Sequence, residues 1–130
     1  MRKDLKQKLY NDFPSLYKQR VLSPRESCLA FGVECGDGWF QLIYDLSKKI
    51  MEINSEVQAT QVKEKYGGLC FYVGNVSIKS ADEVFAIIDK AEELSLKICE
   101  NCGEPGKQNE YGWILTLCDG CRKKRNEGRL

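Results

Sequence analysis

Two C-x-x-C pairs near the carboxyl end constrain the fold of this chain more than any other feature of its sequence. Cys99 and Cys102 form the first pair, Cys118 and Cys121 form the second, and fifteen residues separate the pairs. Pairs about 15 to 20 residues apart are typical of zinc sites. Four thiolates supply the tetrahedral sulfur ligands that zinc accepts. The sequence therefore predicts one Zn²⁺ ion held by these four cysteines, with an iron centre or free thiols as alternatives.

The predicted ion is structural, because four protein ligands leave no coordination position open for a substrate. The segment between the cysteine pairs has too few apolar side chains for a core of its own. A structural zinc ion contributes about 10 to 16 kcal/mol to the folding of such a segment. The apolar residues of the segment are Tyr111, Trp113, Ile114, Leu115 and Leu117.

The remaining composition predicts a cytoplasmic protein without a membrane partner. The amino end has no apolar run like that of a signal peptide, and no stretch of about 18 apolar residues occurs anywhere. Seven cysteines, an odd number, suit a reducing compartment, where thiolate metal ligands and free thiols persist. A length of 130 residues predicts a core domain at 1–98 followed by a zinc finger at 99–130.

Residues 1–98 predict an α+β core in which helices pack on a small antiparallel hairpin. Residues 2–11 form an amphipathic pattern, and the sequences at 23–26 and 80–83 match capping boxes that open helices. Asp37 is predicted to cap a further helix. The apolar face of that helix would comprise Trp39, Leu42, Ile43, Leu46, Ile50 and Ile53.

The hairpin is predicted from alternating polarity between Val57 and Val73, with Gly67 and Gly68 as its two-residue loop. Glu64 would then be the one charged residue on an apolar face. Such a position implies an edge strand, a shifted register, or a partly buried carboxylate with a raised pKa. The predicted facing pairs are Tyr66 with Leu69, Glu64 with Phe71, and Val62 with Val73.

The lack of histidine argues against an enzyme. Histidine is the commonest general base and the usual ligand of catalytic zinc, and the chain has none. A cysteine nucleophile activated by Lys63 or Lys65 is the alternative, but a free cysteine is more often a small buried hydrophobe. We therefore expect a protein that acts by binding.

A ligand site is considered at residues 34–39, a segment rich in glycine and polar residues. In one interpretation the segment only starts a helix. In the other, its exposed amides bind an anion, with lysines of the hairpin adding charge for a phosphate-bearing ligand. The candidate ligand or partner residues are Glu34, Asp37, Trp39, Lys63, Glu64 and Lys65.

A second candidate site is the basic run after the last cysteine. Such a run is most often a solvated helix face, but it can also contact nucleic acid or an acidic protein surface. The candidate nucleic-acid contacts are Arg122, Lys123, Lys124 and Arg125.

The carboxyl-terminal motif resembles a treble-clef zinc finger. Its parts are CENCG, a short strand with Trp113, and LCDGC before a basic helix. This resembles the fingers of GATA factors and of DksA/TraR-type transcription regulators over about thirty residues, with the four cysteines and Gly103 as the specific positions. The resemblance implies a treble-clef-like zinc module.

Over nearly its whole length the chain resembles a group of small bacteriophage and bacterial proteins. The matching segments are FPSLY, SPRESC, FGVECGDGWFQLI, QVKEKYGGLCFYV and the cysteine motif. The resemblance implies a phage or mobile-element context, and hence the cytoplasm of a host cell.

Three functions follow as hypotheses. The first is a non-enzymatic, zinc-binding accessory protein of phage type that binds another protein, for example a host factor in the manner of an inhibitor of host defence. The second is a nucleic-acid-binding regulator of transcription that uses the zinc finger and basic tail. The third is a binder of a small phosphate-bearing ligand. The sequence leaves the oligomeric state open.

Overall fold

The computed structural model describes all 130 residues and confirms the predicted α+β class. None of its helices combines the length and apolar composition that a membrane crossing requires. The α-helices are α1 (Lys3–Asp12), α2 (Phe40–Ile53), α3 (Ala81–Ser95) and α4 (Asp119–Asn126). The strands are β1 (Val33–Glu34), β2 (Gln58–Lys65), β3 (Gly68–Gly74), β4 (Lys107–Gln108) and β5 (Thr116–Leu117). Short 3₁₀ helices cover Lys18–Val21, Cys28–Phe31 and Asp37–Trp39.

The main sheet has three strands in the order β1-β2-β3. The antiparallel hairpin of β2 and β3 was predicted, whereas the short strand β1, which runs parallel to β2, was not. A register irregularity between Ala59 and Gln61 lets β2 keep Ala59 and Val62 on its buried face. Strands β4 and β5 form a separate two-stranded ribbon between the cysteine pairs.

The hairpin loop consists of Tyr66 and Gly67, one residue earlier than predicted. Lys65 pairs with Gly68, and both loop residues have positive φ, 52° and 82°. Two positive φ angles are typical of a type I′ turn, whose twist suits a hairpin. Since the loop moves by one residue, Glu64 faces Leu69 rather than Phe71.

The hydrophobic core lies between the sheet and helices α2 and α3. Nineteen buried residues form one cluster. The apolar face predicted for α2 supplies Ile43, Leu46 and Ile50, and α3, the helix predicted to open at 80–83, supplies Val84 and Ile88 at helical spacing. The 3.6-residue period of each face was therefore a reliable guide to which side is buried.

Helix α3 also covers the outer edge of β3. The backbone N–H of Leu69 donates to Ser95 Oγ at 2.9 Å, and that of Phe71 donates to Glu92 Oε2 at 2.9 Å. Burial raises the pKa of Glu92, while the hydrogen bond from Phe71 opposes that rise. These two side chains satisfy edge amides that could otherwise pair with a foreign strand.

The capping box predicted at 23–26 opens no α-helix. Ser23 N–H donates to Glu26 Oε1 at 3.3 Å, but the chain makes only a turn there. Ser27 then caps the 3₁₀ helix Cys28–Phe31 by accepting the N–H of Leu29 at 3.1 Å. Its hydroxyl also donates to Gln19 Oε1 at 2.7 Å, so a tertiary contact fixes the start of this helix.

Candidate metal centre and adjoining surface

The first cysteine pair lies on a tight turn at the end of the core. The N–H of Gly103 donates to the carbonyl of Cys99 at 2.9 Å, and the N–H of Cys99 donates to that of Glu104 at 2.7 Å. Gly103 has φ +85°, a conformation that glycine adopts without steric cost. The turn brings Cys102 back beside Cys99.

The second pair lies at the start of α4. Cys118 is the N-cap of this helix, and its Sγ accepts the N–H of Cys121 at 3.4 Å. Because Cys121 lies in the first turn, both sulfurs lie at one end of the helix. A turn, a two-stranded ribbon and a helix thus follow one another as in a treble-clef-like module.

The four sulfur atoms fit one tetrahedral ion. All four Sγ atoms lie within 4.8 Å of one another, and those of Cys102 and Cys118 are 3.7 Å apart. Zinc–sulfur bonds of about 2.3 Å in a tetrahedron place sulfurs about 3.8 Å apart. The cysteines therefore form a cluster that could hold a metal ion, and their chemistry favours zinc.

Backbone hydrogen bonds favour the thiolate form of Cys99. Burial alone would raise the pKa of its thiol, but backbone hydrogen bonds from Cys118, Cys102 and Asn101 lower the pKa to about 7. Amides directed at a sulfur stabilise its thiolate form. Asn101 also donates through Nδ2 to the sulfur of Cys121 at 3.2 Å. Such outer hydrogen bonds orient the ligands of a metal site.

For Cys102 the balance is opposite, and without a bound cation the pKa of its thiol is raised. A backbone hydrogen bond from Glu104 lowers the pKa of its thiol, but burial and the sulfurs of Cys99, Cys118 and Cys121 raise that pKa to about 12. Neighbouring thiolates repel one another, so a bound divalent cation is what would let all four ionise together.

Glu100 joins the first cysteine turn to the core. Its Oε2 accepts the N–H of Gly36 at 2.9 Å, and its carbonyl accepts the N–H of Gly38 at 2.7 Å. Burial raises the pKa of Glu100, the bond from Gly36 lowers it, and the charge of Glu64 raises it further. Two amides of the segment that the sequence analysis offered to a phosphate therefore bind Glu100 of the same chain, one at its carboxylate and the other at its carbonyl.

Asp37 and Trp39 also make internal contacts. The prediction that Asp37 caps α2 is wrong. The carboxylate of Asp37 instead accepts the backbone N–H of Arg2 at 2.6 Å, at the start of α1. Trp39 is fully buried, and its Nε1 donates to the carbonyl of Ile98 at 2.9 Å. Both residues therefore hold other segments against the start of α2.

The remaining candidates on the hairpin have different surroundings. Glu34 and Lys63 are register partners on β1 and β2. Glu64 Oε2 accepts the N–H of Gly67 at 2.7 Å, which fastens the carboxylate to the hairpin loop. Lys65 is exposed, with its Nζ 5.8 Å from the ring centroid of Tyr66. The structure thus does not gather the six candidates into one pocket.

A cleft of about 310 Å³ separates the hairpin loop from the loop that precedes β5. The sequence analysis counted Tyr111 and Trp113 among the apolar residues of the module, but they are 85% and 73% exposed. Tyr66 on the opposite wall is 76% exposed. The aromatic cleft is lined by Glu64, Lys65, Tyr66, Gly112, Trp113 and Ile114.

Hydrogen bonds from the zinc module hold the hairpin wall of the aromatic cleft. Thr116 Oγ1 donates to the carbonyl of Gly67 at 2.6 Å, and Gln108 Nε2 donates to that of Tyr66 at 3.0 Å. The opposite wall is fixed by Asn109, whose Nδ2 donates to the carbonyl of Trp113 at 3.0 Å. Sequence reasoning missed this site, although aromatic residues in a polar loop were a signal for it.

Of the four basic residues on α4, one makes hydrogen bonds within the zinc module and three make no ion pair. Arg122 Nη2 donates to the carbonyls of Lys107 at 2.6 Å and Leu115 at 3.3 Å, so its guanidinium braces the module. Lys123, Lys124 and Arg125 are exposed. The ion pairs of the structure involve other cations, namely Arg2, Lys8 and Arg129.

Comparison with protein-family models, with curated proteins and with solved structures found no match. The argument for a metal site therefore rests on the geometry of the chain itself: four cysteines, on a turn and at a helix start, have sulfurs within 4.8 Å of one another and could hold one metal ion.

Proposed function

We propose that this chain is a non-enzymatic zinc-binding protein that acts by binding another protein. The observation that carries the proposal is the aromatic cleft, whose walls present Tyr66 and Trp113 to solvent from two different segments. Aromatic side chains are enriched at protein interfaces because they bury a large area at a small cost in conformational entropy.

The zinc ion acts in this proposal as a structural staple. The module buries only Cys99, Leu117 and Cys121 in its own cluster, and two of these are metal ligands. So small a core needs the metal to remain folded. Since Thr116 holds the carbonyl of Gly67, loss of the fold of the module would release one wall of the aromatic cleft.

The absence of an enzymatic role rests on side-chain chemistry. The chain has no histidine, and four cysteine ligands would close the coordination of the metal. Thiols that remain reduced suit the cytoplasm. The resemblance to small phage and bacterial proteins favours the cytoplasm of a host cell, with a host factor as the partner, as for an inhibitor of host defence.

Photo-crosslinking tests the proposal directly. Benzoylphenylalanine replaces Trp113 in one variant and Ile78, which is 97% exposed, in the control. Ile78 precedes α3, whose 15 residues span about 22 Å, while Ser95 at the far end of α3 contacts the hairpin. Each variant is irradiated in a lysate of the proposed host cell, after nuclease treatment has removed nucleic acid.

We expect one discrete protein adduct from position 113 and none from position 78. The adduct should disappear when a chelator has removed the metal before lysate is added. The same adduct pattern from both positions, or no adduct from position 113, would refute protein binding at the aromatic cleft.

The second candidate function is nucleic-acid binding, which the three unpaired cations of α4 favour. Each phosphate contact would lower log affinity by about 0.9 per unit of log salt concentration on duplex DNA. Gel shifts at two salt concentrations should show this slope, and substitution of Lys123, Lys124 and Arg125 by glutamine should remove it. Unshifted DNA at the lower salt concentration would exclude this function.

A further inference from the structure

The four cysteines of the metal cluster are not equally accessible. Cys99 is fully buried, and Cys121 is only 5% exposed. Cys102 is exposed and Cys118 is partly buried. Because the oxidation of a cysteine depends on access to its sulfur, a reagent in solvent reaches Cys102 and Cys118 more readily than the two buried cysteines.

The two accessible cysteines lie side by side across the module. Their Sγ atoms are 3.7 Å apart, so a small movement of the side chains would bring the sulfurs to bonding distance. Cys102 belongs to the first cysteine turn, whereas Cys118 is the N-cap of α4. A bond between them would therefore join the two C-x-x-C pairs, which a bond within either pair would not do.

A second cleft, of about 400 Å³, lies beside Cys102. Its walls come from α1, from the start of α2 and from the first cysteine turn. No lysine or arginine is among the lining residues, and the two lining carboxylates are Asp37, which pairs with Arg2, and Asp45. This cleft therefore gives a small neutral molecule access to the first cysteine turn, and it offers an anion no unpaired base.

The metal site depends on the sulfurs of both accessible cysteines. A structural zinc ion takes four ligands, and a cysteine binds it as a thiolate, which a disulfide no longer provides. If Cys102 and Cys118 formed a disulfide, only Cys99 and Cys121 would remain as ligands. The buried cluster of the module consists of these two cysteines and Leu117, so the module would then lack both its metal and a sufficient core.

We infer that Cys102 and Cys118 are an oxidative modification site, at which a peroxide forms a reversible disulfide and the chain gives up its metal ion. In the first step the sulfur of Cys102 bonds to one peroxide oxygen, the O–O bond breaks, and the other oxygen leaves as water. In the second step the sulfur of Cys118 bonds to that of Cys102, the S–O bond breaks, and the remaining oxygen leaves as water. The two sulfurs together lose two electrons, which the peroxide gains. Two protons from the thiols or from solvent complete the two water molecules.

The modification is reversible because thiol–disulfide exchange reduces an accessible disulfide. The fold of the module would thus depend on the redox state, and so would the hydrogen bond from Thr116 that holds the carbonyl of Gly67. The inference rests on the zinc-binding part of the proposed function. It does not depend on what the aromatic cleft binds.

Peptide mapping after treatment with hydrogen peroxide tests the inference. The starting protein is the zinc-loaded full chain with C28S and C70S, which remove the two free thiols outside the cluster that are not buried. A chromophoric chelator reports released zinc, with a sample without peroxide as the control. Remaining thiols are alkylated in denaturant, and the chain is then cleaved after Glu100 and before Asp119. These two cuts separate the cysteines of each C-x-x-C pair.

We expect zinc release to keep pace with the formation of one linked peptide that joins Cys102 to Cys118. Cys99 and Cys121 should be found alkylated. Dithiothreitol and added zinc should restore the original protein. The control without peroxide should retain its zinc.

Histidine substitutions in the second pair provide matched variants, because three cysteines and one histidine also bind structural zinc. C118H lacks the sulfur that would bond to Cys102, so it should lose the rapid zinc release that peroxide causes. C121H keeps that sulfur and should release zinc as the starting protein does. If either variant fails to bind zinc, the peptide map of the starting protein decides the question.

A disulfide within either C-x-x-C pair, zinc release without a disulfide, or equal release from C118H and C121H would overturn the inference. So would zinc that stays bound at a peroxide concentration that oxidises the exposed Cys28 of the wild type. If zinc is bound but no link forms, the proposed function stands and only this inference fails. If the link forms while position 113 gives no crosslink, this inference stands and protein binding at the aromatic cleft fails.

Discussion

Replacement of Gly38 by alanine should weaken the junction between the core and the zinc module. A Cβ atom at this position would lie 2.1 Å from the carbonyl oxygen of Cys99, 2.6 Å from the nitrogen of Gly103 and 2.7 Å from the carbonyl carbon of Glu100. All three are backbone atoms, so no side-chain rotation can relieve the overlap. The first cysteine turn must move away from the start of α2.

Two costs set the magnitude. Overpacking of a tight contact costs about 1 to 3 kcal/mol. The N–H of Gly38 would also lose its bond to the carbonyl of Glu100, which costs about 0.5 to 1.5 kcal/mol. We therefore expect G38A to lower the free energy of unfolding by about 2 to 4 kcal/mol.

Urea unfolding of the zinc-loaded protein measures this loss. With an m value of about 2 kcal/mol per molar urea, the midpoint should fall by about 1 to 2 M. Gly120 offers a matched control, because it lies in α4 and its Cβ would meet no atom within 4 Å. G120A should be neutral or more stable by about 0.5 to 1 kcal/mol, since alanine favours the helix. Equal midpoints for G38A and G120A would refute the close packing of the cysteine turn on the core.

Three further predictions concern other contacts. T116V removes the hydrogen bond to the carbonyl of Gly67 with little change of side-chain shape, so it should lower the free energy of unfolding by about 1 to 3 kcal/mol. It should also speed hydrogen exchange of the amides in the hairpin loop. Unchanged exchange rates would contradict the claim that Thr116 holds this loop. Because burial raises the folded-state pKa of Glu92, the wild type should lose stability relative to E92Q as pH rises from about 4.5 through that raised pKa. A constant difference between the urea midpoints of the two proteins across this pH range would contradict the raised pKa. Chelation should expose residues 99–126 to protease while α2 and α3 persist, and an unchanged digest after verified metal loss would show that the metal is not needed for folding.

The helices α2 and α3 could be predicted because their signal is local. Each has apolar residues at helical spacing over about four turns, and this period specifies one buried face. The cysteine site could be predicted for a similar reason. Ligand identity and spacing follow from coordination chemistry, and the structure places the four sulfurs within reach of one ion.

The hairpin loop could not be placed correctly from the sequence. The pair Gly67-Gly68 is a good two-residue loop by composition, yet the structure uses Tyr66 and Gly67. The carboxylate of Glu64 and the hydroxyl of Thr116 both bind Gly67, one at its N–H and the other at its carbonyl. Thr116 is 49 residues away in sequence, so this preference is tertiary.

The anion site hypothesised at 34–39 shows the same limit. The segment was proposed to offer exposed amides to an anion, but the amides of Gly36 and Gly38 donate to Glu100, which is 64 residues from Gly36. Strand β1 escaped prediction because two residues carry no alternating pattern. The aromatic cleft was missed because its walls come from two segments that meet only after folding.

Metal analysis of the purified full chain tests the central claim most directly. Elemental analysis and X-ray absorption at the zinc edge give the number of ions per chain and the kind and distance of their ligands. We predict one zinc ion per chain, bound by four sulfurs at about 2.3 Å. A chain that folds without zinc, or a bound ion with nitrogen or oxygen ligands, would contradict the claim that Cys99, Cys102, Cys118 and Cys121 form a structural zinc centre.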